Sequence, residues 1–411
     1  MRTLKPLALA LIAAMSSQAF AAQHSAAVDQ SGVSLEATVT QTAGFENSIS
    51  IIQSGVSNEA VSFQQSGIAD SITQFQQGSS NYSEARQLDN TVTGLSIDNS
   101  VLQHQAVGSG NVANATQTNS TESVISQDQY GSSNSAQGTQ SSSIGAELYQ
   151  LQIGDRNSAI TIQSFAESQS SSTQYGSDNI SYSYQDNTLG GAAFIWQDGS
   201  ENDATVTQIY GSVSDATVKS FGIGNMASLR QFSAIASDAQ VESVGNHNSA
   251  TVSQSGILMR FSSEQRGDRN QVTATQSGRQ NTATSSETGD DNTINLVQTG
   301  RNGLIAVVQS GDRNTANLTQ NAVGNELKAV MTGNDNSIVT IQVGAGEENK
   351  LDLAQDGDSN IIQASQFNEG HYALVSQGGT ANVADISQYG AGNSVSIIQS
   401  GSSNTGRVTQ R

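Results

Sequence analysis

The sequence predicts an all-β, amyloid-like β-solenoid, built of stacked strand-turn-strand coils of about 22 residues each. Three observations predict it. Asn is followed six residues later by Gln twenty times in 411 residues. The Gln positions recur about every 11 residues: Gln254, Gln265, Gln276, Glu287, Gln298, Gln309, Gln320, Met331 and Gln342 keep step, with Glu and Met standing in for Gln twice. Finally, the chain has a single Pro, Pro6, so backbone ladders can run without losing donors.

The first residues stand outside this pattern. Arg2 and Lys5 precede an apolar stretch from Leu7 to Met15, and Ala19-Phe20-Ala21 has the small-x-small form of a cleavage site. Residues 1–22 are therefore expected to be a removable secretory signal peptide, and 23–411 a single repeat domain. The apolar run falls well short of the ~20 residues a membrane span needs.

Within each unit the period is two. Asn47, Ile49, Ile51 and Gln53 occupy alternate positions, as do Asn248, Ala250, Val252 and Gln254. Strand side chains alternate faces, so each Asn and its Gln frame one buried face of one short strand. Asn58 and Gln64, Asn270 and Gln276, Asn292 and Gln298, and Asn314 and Gln320 make the same frame. It continues in Asn336 and Gln342, Asn360 and Gln366, Asn382 and Gln388, Asn393 and Gln399, and Asn404 and Gln410. Two residues after the Gln of a unit comes a glycine, as at Gly55, Gly256, Gly267, Gly278, Gly300, Gly311, Gly390 and Gly401. Glycine there lets the chain turn through positive φ at little steric cost.

Roughly 34 such units would make about 17 coils, with like residues stacked ~4.8 Å apart. A buried amide without a partner costs roughly 2–7 kcal/mol. Stacking removes that cost if each Asn and Gln donates to the residue in the next coil and accepts from the last. Small inward residues such as Ala250, Ala283 and Ala316 suggest closely spaced sheets. Outward positions are expected to be mostly Ser, Thr, Asn, Asp and Glu, with Trp196 and Phe63 among the exceptions. Leu88 to Leu95 fits the unit poorly, so residues 88–104 are expected to form an irregular coil.

Composition narrows the function. There is no Cys, so disulfides and thiolate metal sites are excluded. The formal charge of −20 opposes binding to nucleic acid through a basic face. His24, His104, His247 and His371 lie far apart, and His371 takes the place of the Asn in its unit. The Gly-Asp-Arg-Asn turns at 154–157, 267–270 and 311–314 lack the Gly-Gly-x-Gly-x-Asp pattern of calcium β-rolls, and read as turn chemistry. No catalytic residue, metal site or cofactor is expected. The first Gln of the series is Gln30 and the last Gln410, with no amphipathic cap in view, so edge-to-edge growth is the expectation.

The unit x-Gln-x-Gly-x-x-Asn-x-Ala-x-x-x-Gln resembles the curlin repeat. Its Gln-Tyr-Gly variants include Gln129-Tyr130-Gly131, Gln174-Tyr175-Gly176 and Gln388-Tyr389-Gly390. The resemblance implies a subunit of curli, the extracellular functional amyloid of bacteria, with roles in adhesion and biofilm matrix. It further implies a dedicated outer-membrane secretion channel, assembly factors, and self or other curlin subunits as partners. The closing Arg407-Val408-Thr409-Gln410-Arg411 resembles the end of the minor, nucleating subunit. A secreted solenoid adhesin that stays monomeric is the alternative.

Overall fold

The computed structural model describes residues 9–12, 23–88 and 98–411, and these contain strands and turns without a helix. The expected leader falls largely on residues 1–8 and 13–22, outside the described residues. Leu9–Ile12 forms a short strand paired in parallel with Glu36–Phe45. The chain divides into two compact units, Met1–Ile209 and Tyr210–Arg411.

Both units obey one pairing rule: a strand pairs in parallel with the next strand but one. In the second unit, Ser249–Ile257 pairs with Gln271–Arg279, which pairs with Thr293–Arg301. The intervening strands Arg260–Arg266 and Thr282–Thr288 pair with each other in the opposite sheet. Each turn of the solenoid thus contributes one strand to each of two parallel sheets. The two units together make about 16 turns of about 23 residues.

That repeat is longer than the 22 the 11-residue beat suggests, and the corner explains it. In the first unit Gln41 lies opposite Gln64, and Gln53 opposite Gln76, a step of 23. Five residues separate Gln41 from Asn47, but only four separate Gln53 from Asn58. The longer corner holds Ala43, Gly44 and Glu46 at positive φ, where the shorter one has only Gly55 and Ser57. In the second unit both corners are short over much of the length, and Gln254 meets Gln276 at a step of 22. The irregular coil expected at 88–104 falls partly on residues 89–97, outside the described residues. Around it, Gln76 still meets Gln105, so the stack keeps its register across the longer excursion.

Alternation decides the core. Arg260–Arg266 buries Phe261, Ser263 and Gln265 and turns the residues between them outward. Ala250, Ala283 and Ala316 are buried, as are larger side chains such as Leu296, Ile305, Leu318 and Leu327. Each of the larger ones contributes about 1.5–3 kcal/mol by leaving water. The outer faces are less polar than the composition suggests. Trp196 is 41% exposed, and Tyr149, Phe194 and Ile398 are exposed as well.

Candidate functional site

In register, a parallel sheet brings the same side chain back every ~4.8 Å, a spacing at which the amide of one Gln can hydrogen-bond to the amide of the next. In the first unit Gln41, Gln64, Gln87, Gln117, Gln140, Gln163, Gln185 and Gln208 form one column. Each Nε2 donates to the next Oε1 at 2.7–2.9 Å. On the other sheet Gln30, Gln53, Gln76, Gln105, Gln129, Gln152, Gln174 and Gln197 do the same. The second unit has a column from Gln231 through Gln254, Gln276, Gln298, Gln320, Gln342, Gln366 and Gln388 to Gln410, at 2.8–3.0 Å. The remaining Nε2 hydrogen reaches a backbone carbonyl, as from Gln254 to Asp238 O at 3.1 Å.

Asn keeps part of the expected amide-to-amide stack, as from Asn292 Nδ2 to Asn270 Oδ1 and from Asn382 Nδ2 to Asn360 Oδ1, both at 3.1 Å, and adds a tie to the backbone. Its shorter side chain ties one rung to the backbone of the next. Asn270 Oδ1 accepts the backbone N–H of Asn292 at 3.0 Å, and its Nδ2 donates to Gly289 O at 2.8 Å. Asn58, Asn248, Asn292, Asn314, Asn336, Asn360 and Asn382 make the same pair of bonds. Asn47 Oδ1 accepts from Asp70 N, while Asn404 donates to Ser400 O and Asn382 Oδ1. His371 copies the Asn role: its Nδ1 accepts from Asn393 N–H and its Nε2–H donates to Phe367 O. These two bonds fix the Nε2–H tautomer. Asn393 donates from Nδ2 to Tyr389 O.

All eight expected turn glycines have positive φ, from 86° at Gly390 to 143° at Gly256. At Gly55 the neighbouring rung adds a second demand, since a Cβ would lie 1.9 Å from Gly78 O. A second left-handed residue escaped the sequence reading. It sits just before the Asn, as at Arg269 (φ 58°), Arg313 (φ 56°) and Ser403 (φ 58°). Its N–H donates to a carbonyl in the previous rung, from Arg269 to Asn246 O at 2.9 Å. No residue type marks this position, so only the backbone reveals it.

The Gly-Asp-Arg-Asn turns form a column of their own. Asp268 Oδ1 accepts from Asn246 N, Asp290 from Asp268 N, and Asp312 from Asp290 N, all at 2.8–2.9 Å. Beside them Arg269 pairs with Asp291 and Arg313 with Asp335 at 2.7 Å. The hydrogen bonds from the guanidinium groups lower the pKa of Asp291 and Asp335. Arg156 and Asp178 repeat the pair in the first unit.

Two features of the Gln columns lay beyond the 11-residue beat. The first unit contains an additional buried column, Gln74 to Gln103, Gln127 and Gln150, at 2.8–2.9 Å. Its signal was the Gln-x-Gln pairs at 74–76, 103–105, 127–129 and 150–152. In the second unit, the column on the other sheet is interrupted. Its positions run Ser243, Gln265, Glu287, Gln309, Met331, Gln355, Gln377 and Gln399. Gln265 donates to Glu287 Oε2 at 3.0 Å, and Gln355 begins a new run through Gln377 to Gln399. Between them Glu287 is fully buried, and burial raises its carboxyl pKa to about 8 against the opposing hydrogen bond from Gln265.

Fold and columns together define a class: a parallel β-solenoid repeat protein whose coils are joined by side-chain amides. Four segments, residues 192–222, 267–300, 289–321 and 379–411, match the family model of the curlin associated repeat. Over these segments the chain carries curlin repeats. No curated protein sequence matches it.

Proposed function

We propose that the chain is a secreted structural subunit, or nucleator, of curli-type extracellular amyloid fibres that support cell adhesion and biofilm matrix. The observation that carries this reading is the in-register amide column, in which each rung is a template for an identical rung. The curlin repeat supports the same reading. On this reading residues 1–22 are removed on export and 23–411 act as the repeat region. Partners are further copies of the chain, other curlin subunits, an outer-membrane secretion channel and its assembly factors. The chain carries out no catalysis, and the closing Arg407–Arg411 segment favours a nucleating role.

The test is assembly of purified mature protein. Soluble chain should convert to thioflavin-positive fibres with a 4.7–4.8 Å diffraction repeat. A sub-stoichiometric addition to a curlin monomer should shorten its lag if the chain nucleates. The exposed Tyr149, Phe194 and Trp196 favour a second reading, a solenoid adhesin that remains monomeric. A protein that stays monomeric at high concentration, even when seeded, would select the second reading over the first.

A further inference from the structure

The break at Glu287 has a defined chemistry. In an unbroken column each Gln offers one N–H to the Oε1 of the next rung. At 287 the residue is a carboxyl, and the next rung presents Gln309. Glu287 Oε1 and Gln309 Oε1 are both buried and both without a hydrogen-bond partner. Two acceptors therefore occupy the place where the column needs a donor and an acceptor. One proton on the carboxyl would supply the missing donor.

We propose that Glu287 is a proton-operated link in this column. As a neutral acid it donates from Oε1 to Gln309 Oε1 and joins the run from Ser243 to the next rung. As a carboxylate it leaves a buried charge and a buried acceptor unpaired. The proton comes from solvent during folding, and no other bond is made or broken. The rungs around residue 287 should accordingly form readily in mildly acid medium and reluctantly in alkaline medium.

Nothing nearby offsets a charge there. On the strand below, Arg260, Glu264 and Arg266 alternate to the outer face, and Leu304–Ser310 above has no titratable side chain. Across the core, Ser249–Ile257 also has none, while Arg279 and Arg301 lie at the exposed ends of their strands. In the adjoining corner Asp290 accepts a backbone N–H and Asp291 is paired with Arg269.

The sign follows from the carboxyl pKa, which burial raises from 4.5 to about 8 in the folded chain. The folded state binds the proton more tightly than the unfolded state. Its contribution is complete below the unfolded value and is lost as pH rises through the folded one. Across that window the folding constant should fall about tenfold per pH unit from this group alone.

Glu287→Gln places an amide donor where the acid sits and serves as the test. Urea unfolding of the full mature chain, compared between wild type and E287Q, removes the pH dependence that the other carboxylates share. The two proteins should match near pH 5, and E287Q should become progressively the more stable towards pH 8. Glu287→Leu has no donor and should be less stable than wild type at pH 5. Infrared spectra of wild type should show a protonated carboxyl at pH 6 that E287Q lacks. Equal pH slopes in wild type and E287Q, or absence of that carboxyl band, would overturn the proposal.

Discussion

The two units fill the same kind of rung with different chemistry. In the first, the interior is largely polar: two framing Gln columns, the additional Gln74–Gln150 column, and the facing pairs Ser170–Ser183 and Ser172–Ser181. In the second, Val252, Leu296, Leu318, Leu327, Leu351 and Leu353 occupy the inner positions, and one Gln column is interrupted. Stacked amides and stacked aliphatic side chains are thus interchangeable as fillings, but they fail differently. Removing one amide leaves groups on both neighbouring rungs unpaired, whereas trimming one aliphatic side chain costs only local packing.

The largest expected effect ignores this difference, because it acts on the backbone that both units share. Gly55→Ala in the first unit and Gly267→Ala in the second would put a Cβ 1.9 and 2.1 Å from the carbonyl oxygens of Gly78 and Gly289. Both positions also have positive φ, so each substitution should remove more than about 4 kcal/mol or prevent folding, as circular dichroism and urea titration would show. Similar tolerance of Ala at either site would mean that the rungs are not packed this closely.

Next in size, removing an amide from the first unit and adding one to the second should have effects of opposite sign. Gln127→Leu interrupts an intact column and leaves Gln150 Oε1 unpaired, at a cost of about 1–3 kcal/mol for each unpaired group. Met331→Gln fills a gap: it offers an acceptor to Gln309 and a donor to Gln355, whose Oε1 is buried without a partner. That change should stabilise the fold by about 0.5–1.5 kcal/mol, read as a higher urea midpoint. If both substitutions destabilise alike, the columns are steric fillers and not hydrogen-bonded ladders. The smallest expected effect is Arg269→Ala. It removes an exposed ion pair from the corner, where solvent screens the charges, and should leave the midpoint unchanged.

Much of the architecture could be read from the sequence because it is local. Asn248 and Gln254 share a face whatever the rest of the chain does, since side chains on a strand alternate. The glycines at 55, 256 and 401 mark corners for an equally local reason, the freedom to adopt positive φ. The curlin likeness rests on the same short-range spacing.

The sequence by itself determined the 11-residue beat, the inward frame of each strand and the sites of the turns. Tertiary structure decided what each amide meets. It set Gln against Gln but Asn against both the backbone and the next Asn, and it lengthened the first unit's step to 23 residues through a single added corner residue. It also placed Glu287 between Gln265 and Gln309. Residues that far apart in sequence meet only when every corner between them has settled the register. A period averages over those corners, and a hydrogen bond does not.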